Sequence, residues 1–363
     1  MTEVTRDQLE ALLSEVQDRY LEQDIVSAKA VKSIDIQGQQ VSVQIVQGYP
    51  AGEYREALQQ EIQSRLQAMT GVESATVQVT QDIQAHAVQK SVKRHAGIKN
   101  IIAIASGKGG VGKSTTAVNL ALALQADGAS VGILDADIYG PSQPRMLGIT
   151  GRPLSKDGKT LEPMQNHGIK AMSIGFLIEE DTPMIWRGPM VTQALEQLLN
   201  DTQWGELDYL VVDLPPGTGD IQLTLSQKIP VSGAVIVTTP QDIALLDARK
   251  GLKMFEKVEV PILGIVENMS MHVCSSCGHI EHIFGEGGGQ AMAEQYHVNY
   301  LGGLPLERSI REQVDSGHPT VIADPQGQVA GIYRDISRHA AAKLAKQAKD
   351  YSAKFPNIKI QNV

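Results

Sequence analysis

Apolar residues follow two different patterns in the two parts of this chain. In the first part, helical spacing and the two-residue period of half-buried strands predict a small α+β domain over residues 1–85. The helical segments are the positions Leu9, Leu12, Leu13, Val16 and Tyr20, and then residues 54–69. The strand-like segments are the alternating positions Val41, Val43 and Ile45, and then residues 75–79. The polar residues 86–100 that follow predict a linker.

From residue 101 to residue 363, short apolar runs alternate with helical segments. This order is typical of a mostly parallel sheet with helices on both faces, so it predicts an α/β domain. The apolar runs cover residues 101–105, 131–134, 209–212, 234–237, 262–266 and 300–304. Asp135, Asp213 and Asn268 stand just beyond three of these runs. Because open α/β sheets bind ligands beyond the carboxyl ends of their strands, these three residues indicate a site at that edge.

The last helical segment, residues 328–349, carries many lysines. Ile332, Ile336, Ala340 and Leu344 recur in it at helical spacing. A helix lying on a membrane surface and a helix docked on the core would both show this pattern. The apolar face lacks bulky aromatic residues, which favours docking on the core.

Composition narrows the class of protein. The chain has 363 residues and a formal net charge of −9, which disfavours wholesale binding to nucleic acid. Neither a membrane span of about eighteen apolar residues nor a signal peptide is visible, since the first ten residues are polar and acidic. We therefore expect a cytoplasmic protein without nucleic-acid or membrane partners.

Residues 107–115 fit the pattern G-x-x-x-x-G-K-[ST] of a phosphate-binding loop. An apolar run precedes them and a helical run begins at Thr115, which is the context that this loop requires. The predicted nucleotide-binding residues of the loop are Gly107, Lys108, Gly109, Gly110, Val111, Gly112, Lys113, Ser114 and Thr115. Lys113 neutralises phosphate charge and Ser114 reaches magnesium. A single loop needs only Lys113, so Lys108 is available for phosphates bound in another protomer.

Three aspartates complete the predicted nucleotide site. Asp135 and Asp137 lie two residues apart where a strand ends, and Asp213 ends another apolar run. Phosphoryl transfer needs a held metal ion and an oriented water, so Asp135 and Asp213, with Ser114, are assigned to magnesium and Asp137 to the attacking water. A simpler alternative is that Asp135 and Asp137 only cap the following turn. Residues 215–220, with two prolines and two glycines, are suited to sensing the γ-phosphate.

The chain contains two cysteines, Cys274 and Cys277, in a polar segment that also holds His272, His279 and His282. A Cys2His2 zinc site within one chain is one interpretation. A redox-active pair is another, although no positive neighbour is present to acidify a thiol. A third is half of a [4Fe-4S] site, since such a cluster takes four thiolates and a second chain would supply two. Cysteines without a ligand are the remaining alternative.

In its second domain the sequence resembles the Mrp/ApbC family of iron-sulfur carrier ATPases, a branch of the deviant P-loop ATPases that includes MinD-like and nitrogenase-iron-protein-like members. The resemblance extends from about Lys99 to Thr320. It rests on residues 107–115, 135–142, 186–190, 213–220, 239–242, 267–270, 274–279 and 284–289.

This resemblance implies a P-loop NTPase fold and a homodimer with nucleotide at its interface. It implies that Lys108 reaches the partner's phosphates and that Asn268 lies near the adenine. Together with Asp137, assigned above to the attacking water, Lys108 is thus an expected catalytic residue. It also implies that Cys274 and Cys277 of two chains bridge a labile [4Fe-4S] cluster, received from cluster-assembly scaffold proteins and handed to apo iron-sulfur proteins. ATP and Mg²⁺ are the other expected cofactors, and slow ATP hydrolysis the expected reaction.

The first domain resembles the small domain often fused ahead of these ATPases, but it departs from that pattern. The usual Asp-Pro-Glu near the first helix and the cysteine before the second are both missing from residues 17–22 and 48–53. We therefore expect partner docking from this domain rather than cluster chemistry. A MinD or partition-type spatial organiser, or an ATPase with a structural zinc site, is the alternative function.

Overall fold

The computed structural model describes residues 4–178, 188–274 and 276–350. The first domain consists of α1 (Arg6–Ser14), β1 (Gln17–Asp18), β2 (Gln23–Asp24), β3 (Val31–Gln37), β4 (Gln40–Gln47), α2 (Gly52–Gln67) and β5 (Ser74–Gln81). β3 and β4 are antiparallel, β4 and β5 are parallel, and the three form one sheet in that order. β1 and β2 pair separately as a short antiparallel ribbon.

The core of the first domain lies between this sheet and α2. Alternate positions of β4 and β5 are buried, as a sheet with one solvent-facing side requires. On α2 the buried positions are Leu58, Ile62 and Leu66, four residues apart on one face of the helix. The predicted α+β organisation of this region is confirmed.

The first helix is shorter than the apolar pattern suggests. It begins with a capping box, in which Thr5 and Gln8 bond each other's backbone N–H groups, and it ends at Ser14. Val16 and Tyr20 are buried although they lie beyond the helix. The helical spacing of these two positions therefore reflects their burial in the segment after the helix, and the helix itself does not extend to them.

The second domain begins with a strand that starts at Ile98, so residues 98–100 of the expected linker belong to the sheet. Its elements are β6 (Ile98–Ala105), α3 (Lys113–Ala126), β7 (Val131–Asp135), α4 (Gln143–Met146), β8 (Met164–Asn166), β9 (Ile169–Ser173), α5 (Gly188–Asp201), β10 (Leu207–Asp213), α6 (Asp220–Lys228), β11 (Gly233–Thr238), α7 (Asp242–Lys257), β12 (Ile262–Val273), β13 (Ile280–Glu281), α8 (Gly288–Gln295), β14 (Tyr300–Pro305), α9 (Arg308–Asp315), α10 (Thr320–Ala323) and α11 (Gln328–Ala345).

Within the described ranges, one large sheet runs in the order β13-β12-β11-β6-β10-β7-β9-β8, and β14 pairs with β12. β8 and β13 are antiparallel to their neighbours, whereas the other pairings are parallel. The predicted mostly parallel α/β architecture is thus confirmed. Because the inner strands are parallel, the segments that follow β6, β7, β10 and β12 all emerge at the same edge of the sheet, which we call the carboxyl edge.

The last helix, α11, docks on the core as its spacing predicts. Ile336, Ala340 and Leu344 are buried on its inner face. The same helix also contacts the first domain, because Arg338 donates to the Tyr20 hydroxyl at 3.2 Å and that hydroxyl donates to Asp335 at 2.6 Å. Among the described residues, no helix has the length and apolarity needed to cross a membrane.

Candidate functional site

The loop of residues 107–115 connects β6 to α3 at the carboxyl edge. Gly110 and Gly112 have φ angles of 82° and 81°, in the left-handed region that favours glycine. Gly107 is required for another reason, since an added Cβ would lie 2.1 Å from the backbone carbon of Asp247 on α7. A glycine-rich loop that leads directly into the N-terminus of a helix is the arrangement that binds phosphate through backbone N–H groups.

Lys113 begins α3 and its ammonium is buried under the loop. It forms an ion pair with Asp213, which is fully buried at the end of β10, and it also donates to the Ser114 hydroxyl at 3.2 Å. Gln143 donates to the second oxygen of Asp213 at 2.9 Å and to the backbone oxygen of Ser114 at 3.1 Å. Lys113, Ser114 and Asp213, which the sequence assigns to phosphate and magnesium, are therefore brought together.

Asp135 lies beside Asp213, because their strands β7 and β10 are adjacent and the two residues are paired in register. One carboxylate oxygen of Asp135 accepts the N–H of Asp137 at 3.1 Å. The other accepts the N–H groups of Ser142 and Gln143 and the hydroxyl of Ser173, at 2.9, 3.1 and 3.1 Å. These bonds use most of the acceptor capacity of the carboxylate. Asp135 thus fixes the segment that carries Asp137, and a magnesium ion would reach it most easily through a metal-bound water.

The carboxyl groups of Asp135 and Asp137 both have raised pKa values. Burial raises the pKa of Asp135 to about 7, and the charge of Asp213 adds to the rise, while N–H donors and Lys113 oppose it. Burial also raises the pKa of Asp137, with Lys113 opposing the shift. A carboxyl group whose pKa is raised accepts a proton more readily near neutral pH, which suits a group assigned to an attacking water.

An open cleft of about 280 Å³ lies over the loop. Lys108, Lys113, Ser114 and Asp137 line it, together with Pro216 of the segment between β10 and α6. The backbone N–H of Gly217 in that segment donates to Ser106 at 3.0 Å, which ties residues 215–220 to the start of the phosphate loop. The predicted phosphate sensor is therefore next to the predicted phosphate site.

Lys108 belongs to the loop, whereas Asn268 contacts the loop from β12. The side chain of Lys108 is half-buried at the cleft of its own chain, and its backbone oxygen accepts the Ser106 hydroxyl at 2.9 Å. Asn268 on β12 is buried, and its amide donates to the backbone oxygen of Val111 at 2.9 Å. The reach of Lys108 into a second chain and the contact of Asn268 with adenine stay predictions.

The two cysteines lie at the tip of a hairpin that projects from the sheet. β12 continues past its sheet partner β11 and pairs with β13, with His272 opposite Glu281 and Val273 opposite Ile280. Two backbone hydrogen bonds close the tip: the Cys274 N–H donates to the backbone oxygen of His279 at 2.9 Å, and the Gly278 N–H donates to that of Cys274 at 2.8 Å. Both thiols are free, Cys277 is exposed and Cys274 is half-buried.

The backbone N–H groups of Ser276 and Cys277 hydrogen-bond the Cys274 sulfur and lower the pKa of its thiol; the Cys277 side chain and His272 act in the same direction. A lower pKa favours the thiolate, which is the form that binds metal.

Two of the three neighbouring histidines hydrogen-bond backbone oxygens. His272 bonds the backbone oxygen of Leu306 at 3.0 Å, and His282 bonds that of Ser270 at 2.8 Å. In residues 4–178, 188–274 and 276–350, no group of three or more histidine, cysteine, aspartate or glutamate side chains is arranged to hold a metal ion. The Cys2His2 zinc interpretation therefore gains no support from the geometry of one chain.

Sequence reasoning missed two residues of the nucleotide site. Gln143 directly follows the segment 135–142 that suggested the family, so reading one residue further would have found it. Ser173 gives no sequence signal, because its contact with Asp135 depends on the pairing of β7 with β9. Of the predicted segment 186–190, residues 186 and 187 lie outside the described residues, and the rest begins α5.

Two family profiles match the chain. One, described as the NUBPL iron-transfer P-loop NTPase, covers residues 97–341, and the other, an iron-sulfur cluster assembly protein, covers residues 6–79. The first profile includes the phosphate loop and both cysteines.

Individual proteins that are similar to this chain in sequence or structure point to the same family. An iron-sulfur cluster carrier protein of Escherichia coli is 51% identical over 351 residues, 96% of this chain and 94% of its own length. One of Pseudomonas fragi is 59% identical over 278 residues, 76% of this chain and 97% of its own length. A nucleotide-binding protein of Archaeoglobus fulgidus, solved in complex with ADP, is 38% identical with a TM-score of 0.55, over 64% of this chain and 90% of its own.

Proposed function

Since the chain belongs to the NUBPL-type family of iron-transfer P-loop NTPases, we propose that it is an ATP-hydrolysing carrier of iron-sulfur clusters. Two copies of the chain hold one labile [4Fe-4S] cluster between them, and the dimer transfers this cluster to apo-proteins in the cytoplasm. Nucleotide bound at residues 107–115 controls how the dimer holds its cargo.

The cysteine hairpin is the observation that carries the proposal. The whole chain has two cysteines, and both lie at one accessible tip with free thiols. A [4Fe-4S] cluster takes four thiolates, so two such tips facing each other across a two-fold axis would complete one set. A cluster held at exposed tips is also reachable by the thiolates of a recipient, which a carrier requires.

The surface around the hairpin favours a second copy as the partner. Val273, Ile280 and Ile283 on the hairpin and its exit are 37%, 52% and 53% exposed. Ile243 and Leu246 on α7 are 64% and 50% exposed. Exposed apolar residues grouped on one face mark an interaction surface more often than a solvated one. An isologous dimer would cover them and bring the two cysteine pairs together.

The nucleotide site fits Mg²⁺ and ATP by the chemistry of its donors. The loop amides and Lys113 are suited to the phosphates, and Ser114 and Asp213 supply the oxygen ligands that Mg²⁺ prefers. Bound magnesium would neutralise phosphate charge during hydrolysis. In the structure, Lys113 forms an ion pair with Asp213. When nucleotide binds, the ammonium of Lys113 must leave this carboxylate and bind phosphate.

Hydrolysis requires a water in line with the γ-phosphate, and Asp137 lines the cleft where that water would stand. Asp137 orients the water and takes its proton as the water oxygen bonds the γ-phosphorus and the bridging oxygen leaves with ADP. Lys108 of the partner stabilises the charge that develops on the phosphate oxygens. We propose slow turnover, because a carrier needs a long-lived nucleotide state.

Anaerobic reconstitution with iron and sulfide tests the central proposal. UV-visible and Mössbauer spectra should report a [4Fe-4S] cluster, with about four iron and four sulfide per two chains, and the mass in solution should be that of a dimer. Cys274→Ala and Cys277→Ala should each abolish the cluster, whereas the control His279→Ala should retain it. One zinc per chain without iron or sulfide would contradict the proposal and favour a structural zinc site.

A further inference from the structure

One strand, β12, contacts the phosphate loop in its middle and carries the cysteine hairpin at its end. Asn268 donates its amide to Val111 of the loop, and Cys274 follows six residues later in the chain. The first half of β12, up to Glu267, is paired with both β11 and β14, and beyond Glu267 its one further pair in the parallel sheet is Met271 with Pro305 of β14. The segment from Asn268 to Cys274 therefore connects a residue that contacts the phosphate loop with the thiols.

The contact between the loop and β12 leaves no free space. A Cβ added at Gly112 would lie 2.1 Å from the amide nitrogen of Asn268 and 4.0 Å from the terminal methyl of Met269. Gly112 is also the N-cap of α3, next to the lysine that takes the phosphates. A shift of Gly112 toward β12 would therefore push Asn268, the nearer of the two side chains, and through it the backbone at Met269.

The backbone of β12 is irregular at these two residues. Glu267 pairs with Gly303 and Met271 with Pro305, so β12 advances four residues while β14 advances two. Met269 lies at the centre of this bulge with a φ of 56°, a conformation that a non-glycine residue rarely adopts. A bulge bends its strand locally, so a displacement at this position changes the direction in which β12 continues.

Beyond the bulge the base of the hairpin is anchored by hydrogen bonds, one of which runs from the Leu306 N–H to Met271 at 2.7 Å. His282 bonds the backbone oxygen of Ser270, the Ser270 hydroxyl donates to Leu304 at 3.0 Å, and His272 bonds Leu306. The bonds to Leu304 and Leu306 keep the base of the hairpin in contact with the end of β14, whereas the bond of His282 lies within the hairpin. The tip, with both thiols, extends beyond them and so moves farthest when the bulge rotates.

We propose that Asn268 and Met269 are positioning residues that set the orientation of the cysteine hairpin according to the nucleotide in the adjacent loop. Asn268 senses the position of Val111, and the bulge at Met269 turns that displacement into a tilt of the hairpin. This inference rests on the proposed function, because it explains how nucleotide state would change the grip on a cluster shared by two hairpins.

The test uses the reduced, cluster-free protein, so that it does not depend on cargo. Alkylation of Cys274 and Cys277 is followed by mass spectrometry without nucleotide, with saturating Mg-ADP, and with a saturating non-hydrolysable ATP analogue. In the wild-type chain, the ATP analogue should change the alkylation rate by at least about fivefold, the lower end of typical coupling between two sites. Saturation removes differences in nucleotide affinity from the comparison.

Two variants test the connection from the phosphate loop through Asn268 and Met269 to the hairpin. Asn268→Ala removes the bond to Val111, and Met269→Gly relieves the left-handed strain and loosens the bulge; both should reduce the nucleotide effect to less than about twofold. The matched control is Asn299→Ala, which removes another amide bond to a backbone oxygen of β12, that of Leu263 at 3.1 Å, at the far end of the strand. The control should keep the full wild-type response.

The outcomes separate this inference from the proposed function. If the thiols of the wild-type chain react at the same rate in all three nucleotide states, or if Asn268→Ala keeps the full response, the inference is wrong. Reconstitution of a [4Fe-4S] dimer would still support the carrier proposal in that case. If no cluster assembles but the thiols respond to nucleotide as described, the carrier proposal fails and the coupling stands.

Discussion

Arg338 on the last helix donates two hydrogen bonds, at 2.5 and 2.7 Å, to the carboxylate of Asp127 at the C-cap of the phosphate-loop helix α3. Both side chains are buried, and Arg338 also bonds Tyr20 of the first domain. One guanidinium therefore connects α3, α11 and the first domain. Breaking a buried pair of this kind leaves an uncompensated charge, which costs far more than losing a surface ion pair.

We expect Arg338→Ala to lower the free energy of unfolding by about 3–5 kcal/mol, measured by chemical denaturation. Arg311→Ala is the matched control, because Arg311 forms exposed ion pairs with Asp315 and Glu312 on α9. The control should change stability by less than about 1 kcal/mol. Equal effects of the two substitutions would show that the buried network does not stabilise the fold.

Two lysines of the loop should have separable roles. Lys113→Ala should abolish nucleotide binding, measured by calorimetry, because it removes the buried cation that the phosphates need. Lys108→Ala should retain binding and slow turnover by about tenfold to a thousandfold, the usual effect of losing one group that stabilises the transition state. Unchanged turnover in Lys108→Ala would contradict its role in the partner's site. Thermal melts show whether each variant is folded.

Asp137→Asn should slow ATP hydrolysis by about a hundredfold or more, while nucleotide still binds. The amide keeps the shape of the side chain but has no capacity to take the proton of the water. Single-turnover measurements of phosphate release give the chemical step directly. Turnover at the wild-type rate would leave Asp137 with only the alternative role of capping the turn after β7.

Gly112→Ala should abolish nucleotide binding and destabilise the protein. Its methyl group would lie 2.1 Å from Asn268, in addition to the strain at a φ of 81°. Gly158→Ala separates these two causes, since Gly158 has a φ of 69° and no atom within 4 Å of the added methyl group. The control should show only the strain, about 1 kcal/mol, and should bind nucleotide normally.

The buried His86 should make stability depend on pH. Burial lowers the pKa of His86 from 6.5, and the charge of Lys349 adds to this, although its bond to Asn100 opposes the shift. The unfolded chain then binds the proton more readily, so the free energy of unfolding is highest above pH 6.5 and decreases as the pH falls from there. His86→Asn should flatten this dependence in denaturation curves at pH 5 to 8, whereas the exposed control His297→Asn should not.

The sequence predicted the parts of the fold that depend on local pattern. Long apolar runs such as the one ending at Asp135 became inner strands, and the glycine pattern located the phosphate loop. β9 was missed because it is short and interrupted by Lys170, and its Ser173 reaches Asp135 only through strand pairing. The cysteine spacing indicated a metal site, whereas the projecting hairpin depends on where β12 leaves the sheet.

The bond between Arg338 and Asp127 also fixes where the first domain lies relative to the phosphate loop. α3 has 14 residues and is therefore about 21 Å long, with the phosphate loop at its start and Asp127 at its end. The first domain is anchored at that far end, beside the entry of the strands and away from the carboxyl edge. A protein docked on the first domain and a second copy docked on the cysteine hairpin would approach from opposite ends of α3. Binding of one would therefore leave the surface for the other accessible.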